Sequence, residues 1–341
     1  MTWSLFKKAI AGGAFLLALV SAAGALAGQG GRFSDRLDAL NHFAPLWLLG
    51  GLLAMGLWGL FVRREGGFYT MVLAAAAILS SGVLMAPELT AADTAEPAPP
   101  EADTIKVIQF NVWGRNGDPD GSVRWILEQE PDVVVLEEAY NAKSSVARQL
   151  RPHFSGRTTC AEPNPSCSTM IFYNREPLAE GGLVGTKEGP FLPAAWVTLP
   201  GPGGAFTVVG AHYTWPWPAG PQQAQGRRLA DLAARFPKTT TIVAGDFNST
   251  PWSFSLRRQD KALGLERRTH ALPTWPASEF SRFKISAPFP ILPIDHIYAG
   301  KAWRTVSVER GPRLGSDHYP VAATLARFTP GALPSPAKAV R

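Results

Sequence analysis

Polar residues that can bind metal or phosphate recur along this 341-residue chain, and each follows a short apolar stretch typical of a β-strand. They are Asn111, Glu138, His212, Asp246 with Asn248, Asp295, and Asp317 with His318. A single carboxylate at a strand end is usually a turn former or a helix cap. A repeated set of such polar residues without cysteine indicates a metal site, because oxygen ligands suit Mg²⁺ or Mn²⁺ rather than zinc. The set predicts metal-assisted chemistry on a phosphoryl group.

Alternating strands and helices are expected to bring these residues together. Apolar spacing predicts helices over Val123–Glu130 and Pro221–Phe236. The predicted strands are Ile105–Asn111, Asp132–Leu136, Thr169–Tyr173, Ala194–Leu199, Phe206–Gly210, Thr240–Ala244, Ile294–Tyr298, Thr305–Val308 and Val321–Leu325. The polar residues therefore lie at or just beyond strand ends.

Five short strings, in order along residues 105–325, resemble the motifs of the endonuclease/exonuclease/phosphatase superfamily. They are IQFNV (108–112), PDVVVLEE (131–138), GDFN (245–248), IDHI (294–297) and GSDHYPV (315–321). Two positions depart from the usual pattern. Glu137 stands where the family usually has glutamine, and Trp113 stands where nuclease relatives often have an acidic residue or histidine. The second departure favours one metal site over two.

The resemblance implies roles for the residues that would hold metal, water and phosphate. Glu138 is similar to the principal metal ligand of the family, and Asn111 to a residue close to both metal and phosphate. Asp317 would add a further carboxylate to the metal site. Asp246 is similar to the residue that orients or deprotonates the attacking water, and Asn248 to one that binds the phosphate. The implied ion is Mg²⁺ or Mn²⁺.

The resemblance also implies two histidines in the site. His318 is similar to the histidine that faces the scissile phosphate, with Asp295 holding its ring. A carboxylate behind an imidazole fixes the tautomer and the orientation of the ring. His212 is similar to the histidine near the leaving group. The implied fold is α+β, a four-layer sandwich of two β-sheets flanked by helices.

The first hundred residues contain three stretches of 20 residues without a charge: Ala9–Gly28, Phe43–Val62 and Phe68–Pro87. About 20 apolar residues span a bilayer core, so residues 1–89 are predicted to form a transmembrane segment. The string Ala25–Ala27 resembles a signal-peptidase site, so the first stretch is either a cleaved signal or a retained anchor.

The charges flanking these stretches predict the orientation of the chain. Lys7 with Lys8 and Arg63 with Arg64 belong inside by the positive-inside rule. The C-terminal part then lies outside the cytoplasm, although Arg32 and Arg36 in the first loop count against this arrangement. We expect a multi-pass protein of the cytoplasmic membrane, with the lipid bilayer as one partner.

The rest of the chain is divided by composition. Residues 90–103 are rich in Ala, Pro, Glu and Thr and predict a linker. Residues 104–328 form the expected soluble domain, and residues 329–341 a C-terminal tail. The net charge of +6 arises after residue 100. This charge indicates an anionic partner, either phosphate groups or a membrane surface, or simply a solvated face.

Two features of the soluble domain leave alternatives open. The two cysteines, Cys160 and Cys167, enclose a turn-forming hexapeptide. They are either a disulfide formed in an oxidising compartment or two unrelated thiols. Three arginine pairs could contact head groups or nucleic acid, but a solvated face is the preferred interpretation. The pairs are 227/228, 257/258 and 267/268.

Membrane stretches before a domain of this type resemble the bacterial branch that includes teicoplanin-resistance proteins. The resemblance implies an anchored hydrolase of a phosphate ester or pyrophosphate at the outer face of the cytoplasmic membrane, with lipid-linked phosphates among the substrates. One alternative is an extracytoplasmic nuclease with the same mechanism. A second is a non-catalytic binding module on the same fold.

Overall fold

The computed structural model describes residues 3–62, 67–91, 103–139, 144–160, 167–183, 191–201, 203–277, 279–280 and 285–327. Most of the expected linker and all of the expected tail lie outside these residues. So does the hexapeptide between the two cysteines. Cys160 and Cys167 themselves are described, and they form a disulfide.

The N-terminal segment is a bundle of apolar helices. Its helices are α1 (Trp3–Gln29), α2 (Asp35–Asp38), α3 (Ala44–Leu57) and α4 (Phe68–Thr90). Three stretches are long and apolar enough to cross a membrane: Leu5–Arg32, Asp35–Phe61 and Phe68–Thr90. Small residues lie where the helices meet, including Ala18, Ala54 and Ala74. Small side chains let apolar helices approach closely, which is how membrane helices pack.

The C-terminal domain, residues 103–327, consists of strands and four helices in its described parts. The strands are β1 (Thr104–Asn111), β2 (Val133–Glu137), β3 (Gly156–Thr159), β4 (Met170–Tyr173), β5 (Ala179–Gly182), β6 (Ala194–Leu199), β7 (Phe206–His212), β8 (Thr241–Asp246), β9 (Glu266–Arg267), β10 (Glu279–Phe280), β11 (Ile285–Ser286), β12 (Asp295–Ala299), β13 (Trp303–Arg310) and β14 (Val321–Arg327). The helices are α5 (Pro119–Glu128), α6 (Ser145–Leu150), α7 (Pro221–Ala233) and α8 (Phe254–Leu263).

These strands form two mixed six-stranded sheets and a small hairpin. The first sheet has the order β13-β14-β1-β2-β4-β3 and the second β5-β6-β7-β8-β12-β9. Val107 and Val135 of the first sheet pack against Val208 and Ala244 of the second. On the outer faces, apolar residues pack under α5 and α6 on one side and under α7 and α8 on the other. The predicted four-layer α+β sandwich is confirmed.

Strand register carries the polar residues to one end of the sandwich. In the second sheet, His212 pairs with Asp246 between parallel strands, and Asp246 pairs with Asp295 between antiparallel strands. In the first sheet, Asn111 pairs with Glu137, directly before Glu138. Since the two sheets pack face to face, these ends meet at one edge.

Sequence patterns missed some elements and bounds. Helix α5 begins at Pro119 rather than Val123, because the Asp118 carboxylate accepts a hydrogen bond from Gly121 N at 2.9 Å and caps the first turn. The sequence patterns did not predict strand β3, helix α6 or helix α8. Helix α7 ends at Ala233 instead of Phe236.

The short segment between the first two apolar stretches docks onto the C-terminal domain. The Asp38 carboxylate accepts hydrogen bonds from Phe254 N at 2.8 Å and Ser255 N at 2.7 Å, which are the first amides of α8. Thr250 N donates to His42 Nδ1 at 3.2 Å. A carboxylate at a helix N-terminus is favourable because it satisfies free amides and opposes the helix dipole.

A second set of contacts joins the end of α4 to the same domain. The Arg267 guanidinium makes two hydrogen bonds to Glu88, at 2.8 and 2.9 Å, and both side chains are largely buried. Trp252 packs against Leu84 and Met85 in a small apolar cluster. The N-terminal helical segment and the C-terminal domain therefore share a packed, hydrogen-bonded interface.

The interpretation of the arginine pairs as a solvated face is wrong for two of them. Arg257 donates to Leu84 O at 2.6 Å, Arg258 pairs with Asp35, and Arg267 binds Glu88. Arg268 is largely buried and donates to Trp303 O at 3.0 Å. Three of the four thus hold the domain against the apolar helices, a role that sequence spacing does not indicate.

The hydrogen bonds of Asp38 should contribute measurably to stability. Asp38→Ala leaves two partly buried amides of α8 without this acceptor, and we expect it to destabilise the full-length protein by about 1–3 kcal/mol. Thermal unfolding in lipid nanodiscs, followed by near-ultraviolet circular dichroism, measures the change.

Asp35→Ala is the matched control, because Asp35 lies in the same short helix but pairs with the exposed Arg258. An exposed ion pair is worth less than about 1 kcal/mol. Equal effects of the two substitutions would contradict the docking role of Asp38.

Candidate active site

Asp246 lies at the centre of the site, at the end of β8. Its Oδ2 accepts hydrogen bonds from the amides of Asn111 at 3.0 Å and Asn248 at 3.2 Å, and its Oδ1 accepts one from Asn248 N at 2.8 Å. The same Oδ2 is 3.6 Å from His212 Nε2 and 3.7 Å from His318 Nε2. The expected water-orienting, phosphate-binding and histidine residues are thus brought together around one carboxylate.

His318 and Asp295 form a buried ion pair behind Asp246. His318 Nδ1 is 2.8 Å from Asp295 Oδ2. Burial alone would lower the pKa of His318, but the carboxylates of Asp295 and Asp246 outweigh it and raise the pKa to about 10. Burial would raise the pKa of Asp295, but the His318 cation lowers it overall. His318 is therefore a cation at neutral pH, and its Nε2 is turned towards Asp246.

His212 is uncharged, unlike His318. Burial lowers its pKa, and this effect exceeds the attraction of the nearby Glu138 carboxylate. Its Nδ1 is 3.2 Å from Ser168 Oγ, which leaves Nε2 directed at Asp246. A neutral and a cationic imidazole thus face one carboxylate, so the site can accept a proton at one position and stabilise negative charge at another.

Glu138 and Asp317 supply further carboxylate oxygens. Glu138 accepts hydrogen bonds from the Asn111 amide at 3.3 Å and from Gly114 N at 3.2 Å. Asp317 Oδ1 is buried and has no hydrogen-bond partner among the described residues. Burial, and next the Glu138 carboxylate, raises the pKa of Asp317. The Asp317 oxygen without a partner is the kind of ligand atom that a divalent cation takes.

Backbone strain is concentrated at this edge. Trp113, Glu138 and Asn248 have φ values of 53°, 52° and 46°, a region that side chains other than glycine rarely occupy. Each follows a strand that ends at the site. Strained backbone at such positions is typical of functional sites, where the surrounding structure holds a side chain in a required direction.

The distances between side chains also define a second group of possible metal ligands. One ligand atom each from Asp246, Asp295 and His318 lie within 4.8 Å of one another. Within this cluster, Asp295 and His318 already bond each other. Of the three predicted metal ligands, Asn111 donates to Glu138, and Asp317 has an oxygen without a hydrogen-bond partner among the described residues.

Sequence reasoning missed three supporting residues. Gln109 Nε2 donates to Glu137 and to Asp295, both at 2.8 Å. Ser316 Oγ donates to Asn111 O at 2.6 Å and accepts from His318 N, and Ser168 contacts His212. Gln109 lies two residues before Asn111, so strand alternation could have placed it on the same face. Nothing in the sequence around Ser168 distinguishes it.

The surroundings of Glu137 explain why a glutamate can stand where the family usually has glutamine. It is fully buried, and burial followed by the charges of Asp295 and Asp246 raises its pKa well above the ordinary value. A protonated glutamic acid is uncharged and has the size of glutamine. Glu137 can therefore occupy a glutamine position without adding a third negative charge.

Sequence comparison then decides the family. The profile of the Endonuclease/Exonuclease/phosphatase family matches residues 108–318. The chain belongs to this family. Members of the family are generally phosphoester hydrolases that depend on divalent metals. The buried cluster of Asp246, Asp295 and His318 is a possible metal site in this chain. The resemblance inferred from the five motifs is confirmed.

Solved structures of the family share this fold. SmcL is 16% identical and superposes with a TM-score of 0.52, over 65% of this chain and 99% of its own. A family protein from Bacteroides thetaiotaomicron is 14% identical, with a TM-score of 0.51 over 67% and 99%. A β toxin variant from Staphylococcus aureus, determined with bound magnesium ions, is 15% identical, with a TM-score of 0.50 over 67% and 100%. No curated protein matches the sequence.

The charge of Asp246 should make stability depend on pH. Burial raises its pKa from 3.8 to about 7, although His318 and the asparagine hydrogen bonds act in the opposite direction. The folded protein therefore holds this proton more tightly than the unfolded chain, and the stability present below about pH 4 is lost as the pH rises to about 7.

Asp246→Asn removes this titration. In buffer with EDTA, we expect the melting temperature of the variant, relative to the unsubstituted protein, to rise between about pH 4 and pH 7 and then level off. Glu128→Gln, on the exposed face of α5, serves as a control that should not follow this curve. If the difference in melting temperature between Asp246→Asn and the unsubstituted protein did not change with pH, the raised pKa of Asp246 would be contradicted.

Proposed function

We propose that this protein is a membrane-anchored, divalent-metal-dependent phosphoesterase that hydrolyses a phosphate ester or pyrophosphate at the outer face of the cytoplasmic membrane. The observation that carries the proposal is the convergence of His212, His318 and Asn111 on the buried Asp246 carboxylate, with Asp295 behind His318. This arrangement offers a base, a cation and amide donors within one small volume.

Each side chain has a task that follows from its charge state. Asp246 orients water for attack on phosphorus and takes its proton, consistent with a pKa raised to about 7. The cationic His318 donates to a phosphoryl oxygen and stabilises the charge that develops there, while Asp295 holds the ring. The Asn111 and Asn248 amides bind further phosphoryl oxygens, and His212 lies near the leaving group.

The metal would be held by oxygen ligands at the neighbouring edge. Glu138, Asn111 and Asp317 are the residues that would hold Mg²⁺ or Mn²⁺. Such an ion supplies charge neutralisation of the phosphoryl oxygens. The magnesium ions bound to the related β toxin support this assignment by analogy.

The docking of the domain on the apolar helices supports a substrate at the membrane. The loop carrying Asp246 and Asn248 continues into Thr250 and Trp252, which contact the membrane segment. Trp215 and Trp217, just after His212, are 57% and 65% exposed, as is common for side chains that rest at a lipid interface. A lipid-linked phosphate or pyrophosphate is the substrate class these features favour.

The nuclease alternative has less support. A nuclease would require a groove of free cations along the strand it binds. Arg257, Arg258 and Arg267 contact the apolar segment instead, so they cannot line such a groove. The resemblance to the teicoplanin-resistance branch stays a prediction from architecture.

The full-length protein in lipid nanodiscs tests the proposal. With Mg²⁺, we expect phosphate release from a lipid pyrophosphate, none from plasmid DNA, and loss of release with EDTA. Cleavage of plasmid alone would favour the nuclease, and binding without turnover would favour the binding module. Turnover of neither substrate class would refute the proposed function.

Two adjacent glutamates give a matched pair of variants. Loss of a residue that only supports a metal ligand costs about 10–100-fold in metal affinity. Since Glu138 is itself a proposed ligand, Glu138→Gln should raise the Mg²⁺ concentration for half-maximal rate by at least about tenfold. Glu137→Gln should retain the rate and the Mg²⁺ dependence, because the buried acid is already uncharged. Similar losses in both variants would contradict the assignment.

The disulfide provides a test of orientation. Cys160 and Cys167 are the only cysteines of the chain. If the domain lies outside the cytoplasm, protein denatured from cells without reductant should not react with a maleimide, and reduction should expose two thiols. Immediate labelling of both thiols would place the domain in the cytoplasm.

A further inference from the structure

The loop between β8 and α8, residues 247–253, begins in the candidate active site and ends at the N-terminal helical segment. Asn248, near its start, donates to the Asp246 carboxylate, and Trp252, near its end, packs against α4. We call residues 247–253 the site loop. Every residue of the site loop is buried. Most loops run over the surface, because a buried backbone needs partners for its polar groups. The partners of this loop therefore fix its position.

The C-terminal domain supplies the partners for the first half of the site loop. Asn248 O accepts a hydrogen bond from the Gln222 amide at 3.2 Å. Ser249 O accepts one from His296 Nε2 at 2.9 Å. These contacts hold the loop up to residue 249, and none of them involves the N-terminal helical segment.

Thr250 takes its partner from the N-terminal helical segment instead. Its backbone N donates to His42 Nδ1 at 3.2 Å, and its Oγ1 is 3.1 Å from the same nitrogen. Among the described residues, His42 is the only acceptor for this amide. Thr250 is fully buried and His42 is 5% exposed. Loss of the imidazole would leave a buried N–H unsatisfied, which is more costly than the loss of an exposed hydrogen bond.

The backbone of Asn248 makes the candidate site sensitive to this contact. Its φ of 46° is strained for a residue other than glycine, and such strain persists only where the surrounding structure holds it. Asn248 N donates to Asp246 Oδ1 at 2.8 Å, and its side-chain amide donates to Oδ2 at 3.2 Å. Thr250 follows only two residues later, so a displaced Thr250 would shift both donors of the central carboxylate.

We propose that His42 is a positioning residue of the active site. By accepting a hydrogen bond from Thr250 N, it sets the site loop and, through the loop, Asn248 and Asp246. His42 acts through Thr250 and is not itself a catalytic residue. The N-terminal helical segment is then part of the catalytic unit, in addition to any role as an anchor. The effect on catalysis rests on the proposed function, whereas the effect on the position of the loop does not.

Three variants of the full-length protein separate this role from general support of the interface. His42→Leu keeps a side chain of similar size but removes the acceptor. His42→Asn places Oδ1 near the position of Nδ1 and restores an acceptor. His270→Leu is the matched control, because His270 also bonds across the interface, with its Nδ1 3.1 Å from Glu88 Oε2, and Glu88 lies in α4 rather than beside the site loop.

Hydrogen exchange in lipid nanodiscs tests the position of the loop without any substrate. We expect peptides that cover residues 247–253 to exchange faster in His42→Leu and to be protected again in His42→Asn, while peptides of β1 stay unchanged. Unchanged exchange over residues 247–253 in His42→Leu would overturn the proposal, whether or not the protein hydrolyses a substrate. Faster exchange throughout the C-terminal domain would show general support of the fold and would also overturn it.

Phosphate release from a lipid pyrophosphate in the presence of Mg²⁺ tests the effect on catalysis. A shift of about 1 Å at a catalytic group costs about 100-fold in rate, so His42→Leu should lower kcat by at least about tenfold. His42→Asn should recover most of the rate, and His270→Leu should retain it. An unchanged kcat in His42→Leu, no recovery in His42→Asn, or an equal loss in His270→Leu would each overturn the proposal.

The two measurements also distinguish failure of this proposal from failure of the proposed function. If the unsubstituted protein released no phosphate but the site loop still responded to His42→Leu, the proposed function would be refuted and the assignment of His42 to the loop would be supported.

Discussion

Acidic side chains buried next to one another are the constraint on which the site depends. Asp246, Asp295 and Glu137 are each almost completely buried, and all three lie near His318. Three ionised carboxylates could not share this space without a large loss of stability. The protein meets the constraint by three separate means: a cationic His318 beside Asp295, amide donors on Asp246, and a proton on Glu137.

The same constraint gives each carboxylate a different function. Asp295 is ionised and serves its histidine, while the raised pKa of Asp246 leaves it able to exchange a proton near neutral pH. Burial raises the pKa of Glu137 well above the ordinary value, and its side chain accepts a hydrogen bond from Gln109. Identical chemical groups are thus distinguished by their surroundings alone, and those surroundings come from strands of both sheets. The main contribution of the fold to the site is thus to fix the pKa values of these carboxyl groups.

Sequence reasoning predicted most of what strand alternation and local motifs encode. Five short strings carry the resemblance to the family, and that resemblance implied the two-sheet sandwich and the residues around Asp246. Contacts between distant segments could not be predicted. The pairing of Arg267 with Glu88 joins residues 179 positions apart, and the capping of α8 by Asp38 joins residues more than 200 apart. A pair of arginines looks the same in sequence whether it faces water or a buried carboxylate.

The interface between the apolar helices and the C-terminal domain has a consequence for release of the domain from these helices. The peptide between residues 91 and 103 is not the only connection between the two parts, because Asp38, Glu88 and Trp252 hold them together without it. A protease that cut this peptide would leave the domain seated on its helices. Release of the domain would require the packed surface to separate as well, which would expose Trp252 and leave the buried charge of Arg267 without Glu88.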